Sequence, residues 1–193
     1  MRVIAGSHRG RRLHGPRGTS LRPTSDKVRE ALFSILAPRI QGSHFLDMYA
    51  GTGAVGIEAL SRGAAIVTFV ESDPHAVQIM RRNLAGCGMR DQADLRIASV
   101  ERFLREPQSW KGPYDVLFAD PPYADADAVE IVLSSWRLDL LSPDAVMVIE
   151  QDIRAELPAE TDRARLIRRY AYGDTALFLY RGAPAGALRG SAS

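Results

Sequence analysis

The chain has one cysteine, two lysines and two tryptophans in 193 residues. No apolar run reaches the roughly 18–20 residues that a membrane helix requires. The lone Cys87 excludes an internal disulfide framework and any multi-cysteine metal site. His8, His14, His44 and His75 show no metal-ligand spacing, so no metal is expected. The opening MRVIAGSHRGRRLHG lacks the apolar core of a signal peptide, and a cytoplasmic protein with no membrane partner is expected. Acid is scarce at the start. Residues 1–29 carry eight basic side chains against Asp26 alone, a balance of +7. The other residues hold 17 basic and 22 acidic side chains, or −5, which gives the overall +2. A basic arm ahead of a mildly acidic body is the charge pattern of a phosphate-backbone partner. The excess of arginine over lysine runs through the whole chain and points to no function of its own.

What is present is an ordinary globular composition, 46% hydrophobic and 25% charged, at a length that suits one well-cored domain. The segment RVIA (residues 2–5) predicts a short strand. LRPTSDKVREALFSIL predicts a helix capped by Thr24 or Ser25 and ended by Pro38. From His44 onward, short apolar strands alternate with amphipathic helices. Strands are predicted at 45–48, 66–71, 94–98, 114–119, 145–150, 164–172 and 176–180. Helices are predicted at 55–62, 74–87, 100–105 and 126–136, with a doubtful turn at 153–157. Such alternation predicts a parallel sheet covered on both faces. The Gly173–Asp174 pair between the last two strands predicts a hairpin, so one strand runs against the others. The expected class is α/β: a Rossmann-like, seven-stranded, mostly parallel sheet with an antiparallel C-terminal hairpin strand. Residues 1–40 are expected to form a basic extension suited to a phosphate backbone, 41–182 the cofactor-binding domain and 183–193 a disordered tail.

An open parallel sheet binds ligands beyond the carboxyl ends of its strands. There, FLDMYAGTGAVGIEAL contains G-x-G-x-x-G, with Glu71 twenty residues after Gly51. Glycines and acid together match a dinucleotide fingerprint. Asp47 argues against one. It ends the first strand four residues before Gly51, where its charge would repel a pyrophosphate. A carboxylate there suits a cationic cofactor, and S-adenosylmethionine carries an ammonium, a sulfonium and no phosphate. Glu71 would accept hydrogen bonds from ribose hydroxyls with either cofactor.

The second motif is DVLFADPPY (residues 115–123). Pro121 and Pro122 fix φ and remove two N–H donors, so the turn offers only acceptors beside an aromatic ring. Tyr123 stacked on a planar base, with Asp120 and the Pro121 carbonyl accepting amine hydrogens, would activate an exocyclic NH₂ toward a sulfonium methyl. Carbon-5 methylation of a pyrimidine needs a thiolate near this turn. Cys87 instead lies in LAGCGM, a helix end, so nitrogen chemistry is preferred.

On these residues the chain resembles the class I S-adenosylmethionine-dependent methyltransferases. More closely, it resembles the 16S ribosomal RNA (guanine-966)-N2 methyltransferase family. The resemblance spans residues 2–181. Its marks are RVIAGSHRGRRL, LRPTSDKVREALFSIL, FLDMYAGTGAVGIEALSRGA, FVESD and FADPPY. It implies a cofactor site at Asp47, Tyr49, Gly51, Gly53, Glu71, Ser72, Ser99, Val100 and Asp120. It implies that Asp120, Pro121, Pro122 and Tyr123 hold the target amine, and that 16S rRNA, or a small subunit or its assembly intermediate, is the partner. Arg9, Arg11, Arg12, Arg22, Thr24 and Arg29 are the candidate RNA contacts. One departure is visible: such enzymes commonly place Asp or Asn after the third strand, where IASVERFL offers Ser99. The alternatives are a DNA adenine-N6 or cytosine-N4 methyltransferase using the same turn on a flipped base, a protein glutamine methyltransferase, a dinucleotide oxidoreductase and a non-catalytic RNA-binding module.

Overall fold

The computed structural model describes residues 1–15, 25–122 and 126–182. Seven strands form one sheet: β1 (His44–Met48), β2 (Ile66–Glu71), β3 (Ala93–Ile97), β4 (Tyr114–Ala119), β5 (Leu141–Asp152), β6 (Ala164–Tyr172) and β7 (Thr175–Gly182). Their order is β3-β2-β1-β4-β5-β7-β6. β7 runs antiparallel between β5 and β6, and all other neighbours are parallel. This is the expected seven-stranded sheet with its C-terminal hairpin.

Five helices cover the two faces: α1 (Asp26–Ile40), α2 (Ala54–Ser61), α3 (Pro74–Cys87), α4 (Val100–Leu104) and α5 (Ala126–Ser134). α1, α2 and α3 pack one face, where Phe33, Ile57 and Leu84 meet Phe69, Val116 and Phe118. α4 and α5 pack the other, where Phe103 and Val132 meet Leu117, Met147 and Phe178. Each buried side chain of this size contributes about 1.5–3 kcal/mol. Chain order reverses between β1 and β4, so a crevice opens beyond their carboxyl ends.

Three predicted elements differ from those observed. RVIA is not a strand: it is one leg of a loose hairpin with a single antiparallel bridge, Arg2 to Arg12. α1 does not stop at Pro38 but continues to Ile40. The proline falls in the last turn, Ile40 is buried, and an Arg39 guanidinium nitrogen donates to the Asp144 carbonyl, so lost pairing is offset by anchoring. β5 begins at Leu141, ahead of Pro143, because a register shift in the β4–β5 ladder absorbs a residue type that a regular ladder would reject. Around Ile153 the chain makes the expected turn, held by Asp152 accepting from the Arg154 N–H. The predicted disordered tail, 183–193, lies outside the described residues.

The N-terminal hairpin is sewn onto the body rather than separate from it. Val3 and Leu13 join the core formed by α1, α2 and α3. The Glu58 carboxylate on α2 accepts the N–H groups of Ile4 at 2.7 Å and Ala5 at 2.9 Å. Asn83 on α3 accepts from the His14 N–H, and its amide donates to the carbonyls of His14 and Thr52.

Candidate active site

The glycine loop follows β1 and turns into α2. Gly53 caps the helix with φ +78°, and an added Cβ would stand 2.7 Å from Met80 Cγ. Gly56 lies inside the helix, where a Cβ would come within 2.2 Å of the Phe69 ring. Between them these glycines set the turn and let α2 lie flat on β2. Tyr49 holds a left-handed φ of 57°, a conformation costly for a side chain of its size.

The N–H groups at this helix start already face carboxylates. Gly56 N donates to Asp47 Oδ2 at 2.9 Å, and Gly51 N to Glu71 Oε2 at 2.7 Å. Glu71 Oε1 takes the N–H groups of Ser72 and Asp73, each at 2.8 Å. A pyrophosphate at the loop would have to displace both acids from donors they hold. The loop fits a cation and not a dinucleotide.

Three acids converge across the switch point. Asp47 is the penultimate residue of β1, at 1% exposure, and Glu150 on β5 is nearly as deep at 3%. Asp120 follows β4 and is half-buried; its N–H reaches the Met48 carbonyl at 3.4 Å. Burial pushes the Asp47 carboxyl up to about 7, opposed by the Gly56 N–H and reinforced by Glu71. Asp120 is held well above the usual carboxylate range, by burial first and then by the charges of Glu150 and Asp47. Among the described residues, no cationic side chain contributes to either shift. A carboxyl held high by burial and neighbouring acids is stabilised in its charged form by a cation placed beside it.

The other candidate residues are placed as follows. Asp47 lies beneath the loop, bonded to Gly56, so its influence on a ligand is that of a field rather than an open contact. Ser72 and Ser99 are exposed at the ends of β2 and β3, and Ser99 caps α4 by accepting from the Arg102 N–H. Val100 is buried. Pro121 is buried and Pro122 exposed. The Pro121 carbonyl, expected as an acceptor for the amine, already takes a bond from Gln151 Nε2 at 3.2 Å. Tyr123, Arg22 and Thr24 lie outside the described residues.

Arg29 is a correction. It is fully buried and cannot meet a phosphate. Its Nη2 donates to the Arg2 carbonyl at 2.5 Å and to Asp26 at 3.1 Å, and its Nε lies 3.9 Å from Glu58. Arg9, Arg11 and Arg12 are exposed. Arg11 donates to the Gly86 carbonyl near the end of α3, and Ser7 N to the Ser61 carbonyl that ends α2. Both helices start at the carboxyl ends of strands, so the hairpin tip lies at the opposite edge of the sheet. The length of α3 puts that about 20 Å from the acids. Cys87 ends α3 at the same far edge and is buried, away from the Asp120 turn.

Sequence reading missed Glu58, Asn83 and Gln151. Glu58 carried a signal, being an acid in the middle of GIEAL, a helix whose eight residues are all buried. Asn83 and Gln151 carried none, because polar residues at those positions read equally well as solvent-facing.

Residues 1–181 match the protein family described as "Conserved hypothetical protein 95". The putative rRNA methyltransferase YlbH of Bacillus subtilis is 35% identical over 181 residues, 94% of this chain and 98% of that protein. Ribosomal RNA small subunit methyltransferase D of Escherichia coli is also 35% identical over 181 residues, 94% of this chain and 89% of that one. Among solved structures, a putative methyltransferase, yhhF, from Escherichia coli is similar with a TM-score of 0.81 and 36% identity. That match covers 94% of this chain and 97% of the other.

Proposed function

We propose, from the premise that this chain belongs to the Conserved hypothetical protein 95 family, that it methylates the N2 amine of a guanine in 16S ribosomal RNA. S-adenosylmethionine is the methyl donor, and the reaction proceeds in the cytoplasm on free rRNA, a small subunit or an assembly intermediate. Relatives named as rRNA methyltransferases across nearly the whole chain support the substrate class. The observation that carries the chemistry is the placement of Asp120 at the end of β4, beside Asp47 and Glu150, with no cation among the described residues contributing to its shift.

When bound, S-adenosylmethionine supplies an electrophilic methyl on a sulfonium. Asp47 and Asp120 give the crevice a negative field that favours this cation over its neutral product. Glu71 uses three of about four acceptor positions on backbone N–H groups, which leaves one on Oε2 for a ribose hydroxyl. Asp120 accepts a hydrogen from the guanine amine and so raises electron density on nitrogen. Its raised proton affinity lets it hold the proton that the methylated amine must lose. Gln151 fixes the Pro121 carbonyl, keeping its second lone pair aimed for the other amine hydrogen. Tyr123 stacks on the base. Arg9, Arg11 and Arg12 supply phosphate contacts remote from the base, which set register without reading sequence.

Radiolabelled S-adenosylmethionine offered to naked 16S RNA, 30S subunits, duplex DNA and bulk protein tests this reading, with labelled RNA digested to nucleosides. Label in N2-methylguanosine is expected. Label confined to DNA or protein would sink the ribosomal assignment while leaving the Asp-Pro-Pro-Tyr chemistry in place.

A further inference from the structure

The edge strand β6 carries an arrangement that a strand packed only for stability would avoid. Arg165 on β6 lies directly across from Arg181 on β7. Like charges directly opposite in an antiparallel pair are destabilising. The ladder then slips between Leu166 and Arg168, leaving Ile167 as an extra, half-exposed residue. On a regular strand, residues 165 and 168 would face opposite sides. The bulge cancels that alternation. Arg165 pairs with Arg181, and Arg168 with Leu179 two positions earlier on β7, so both arginines share a face. Tyr170 and Tyr172 continue along it opposite Leu177 and Thr175.

Leu177 and Leu179 belong to the core that α1 covers, and Tyr170 and Tyr172 pack against that core from its rim. The strip therefore borders α1. Arg165, Arg168 and Arg181 are exposed, and none of them is ion-paired among the described residues. The nearest acid in the ladder is Glu160, bridged to Arg165 through the backbone on its outer side. The Arg168 guanidinium rests 4.9 Å from the centre of the Tyr170 ring, a cation–π contact that positions the charge on this face. β6 runs parallel to β5, since both are antiparallel to β7. The strip thus climbs from Arg165 toward the end of the sheet where Asp120 sits, over about 23 Å.

We propose that this face of β6–β7 binds the phosphate backbone of the substrate RNA beside the target guanine, with Arg165, Arg181 and Arg168 on successive phosphates and the tyrosines nearest the crevice. The proposal rests on the RNA-methyltransferase reading above. It adds a second basic surface, distinct from the N-terminal hairpin and on the opposite side of α1's core. Three unpaired arginines and a guanidinium–tyrosine stack match a polyanion with planar bases better than an acidic protein surface, which offers no bases to stack.

The test compares wild type with Arg165→Ala/Arg168→Ala and with Arg181→Glu, measuring binding of protein-free 16S RNA against salt, methylation kinetics and thermal unfolding. The double variant is expected to lower the slope of log K against log salt by about 1.5, roughly 0.7–0.9 per lost phosphate contact. It should raise KM about tenfold, with kcat and S-adenosylhomocysteine binding unchanged. Arg181→Glu converts the repelling pair into an attracting one. It should raise the unfolding temperature while weakening RNA binding, two opposite signs that a structural role alone would not produce. RNA binding, salt slope and KM equal to wild type in both variants would overturn the surface. Weakened binding to assembled subunits with an unchanged slope on protein-free RNA would also overturn it, in favour of an acidic ribosomal protein. Failure of the wild type to methylate RNA would overturn the parent reading instead, and direct RNA binding separates the two.

Discussion

Two sets of buried acids sit within this one domain and are treated in opposite ways. Glu58 is fully buried and completely answered: two backbone N–H groups, the Arg62 guanidinium at 2.7 Å and the Arg29 guanidinium at 3.9 Å surround it. Asp47 is as deep and Asp120 is half-buried, yet the charged groups that shift them are other acids, Glu71 for Asp47, and Glu150 and Asp47 for Asp120. A buried charge must be paired or pushed toward neutrality. Glu58 takes the first course and serves architecture, by fastening the hairpin. Asp47 and Asp120 take the second, and such unbalanced sites are where function concentrates.

Removing Glu58 should have the largest effect. Glu58→Ala leaves Arg29 buried with only the half-exposed Asp26 for an acid and the Ile4 and Ala5 N–H groups unanswered, and should cost about 3–5 kcal/mol in urea unfolding. A loss under about 1 kcal/mol would erase the distinction between the two sets. Next, Asp120→Ala should lower methyl transfer on the order of 100- to 1,000-fold. Its unfolding midpoint should hold or rise, because mutual repulsion is relieved. Near-normal turnover would remove Asp120 from the chemistry.

The pH dependence sharpens the same contrast. Asp47 has a folded pKa of about 7, above its unfolded value of about 3.9. The folded protein therefore binds more protons between those values, and its stability falls as pH rises from about 4 to about 7. Chemical unfolding across that window should show the decline, and Asp47→Asn should flatten it. A cation competes with the same protons, so S-adenosylmethionine affinity should rise as pH climbs through 7, with proton release detectable by calorimetry in buffers of differing ionisation enthalpy. The smallest effect belongs to Arg9→Ala. At the far hairpin tip it should reduce the salt slope of RNA binding by about 0.7–0.9 and leave kcat unchanged.

The sheet was legible because its strands are apolar runs bounded by turn residues, and α3 was legible to its ends because Asp73-Pro74 starts it and Gly88 stops it. The crevice was legible through Asp47, the glycines and Asp120, since strand-end residues in a parallel sheet are fixed by topology. Other features depend on contacts between distant residues. Nothing local in VRE says that Arg29 points inward. That outcome is set by Glu58, twenty-nine positions later. Pro143 reads as a turn until the β4–β5 register shift accommodates it. Gln151 acquires its role only when β5 comes alongside the Asp120 turn.

The hairpin's anchorage also has a consequence for synthesis. Ile4 and Ala5 find their acceptor 54 and 53 residues downstream, and His14 finds Asn83 after 69. The hairpin residues therefore precede α2 and α3 in synthesis and lack these acceptors until both helices have emerged. Glu58 and Asn83 thus make closure of the hairpin onto the body a late, long-range step rather than a local one.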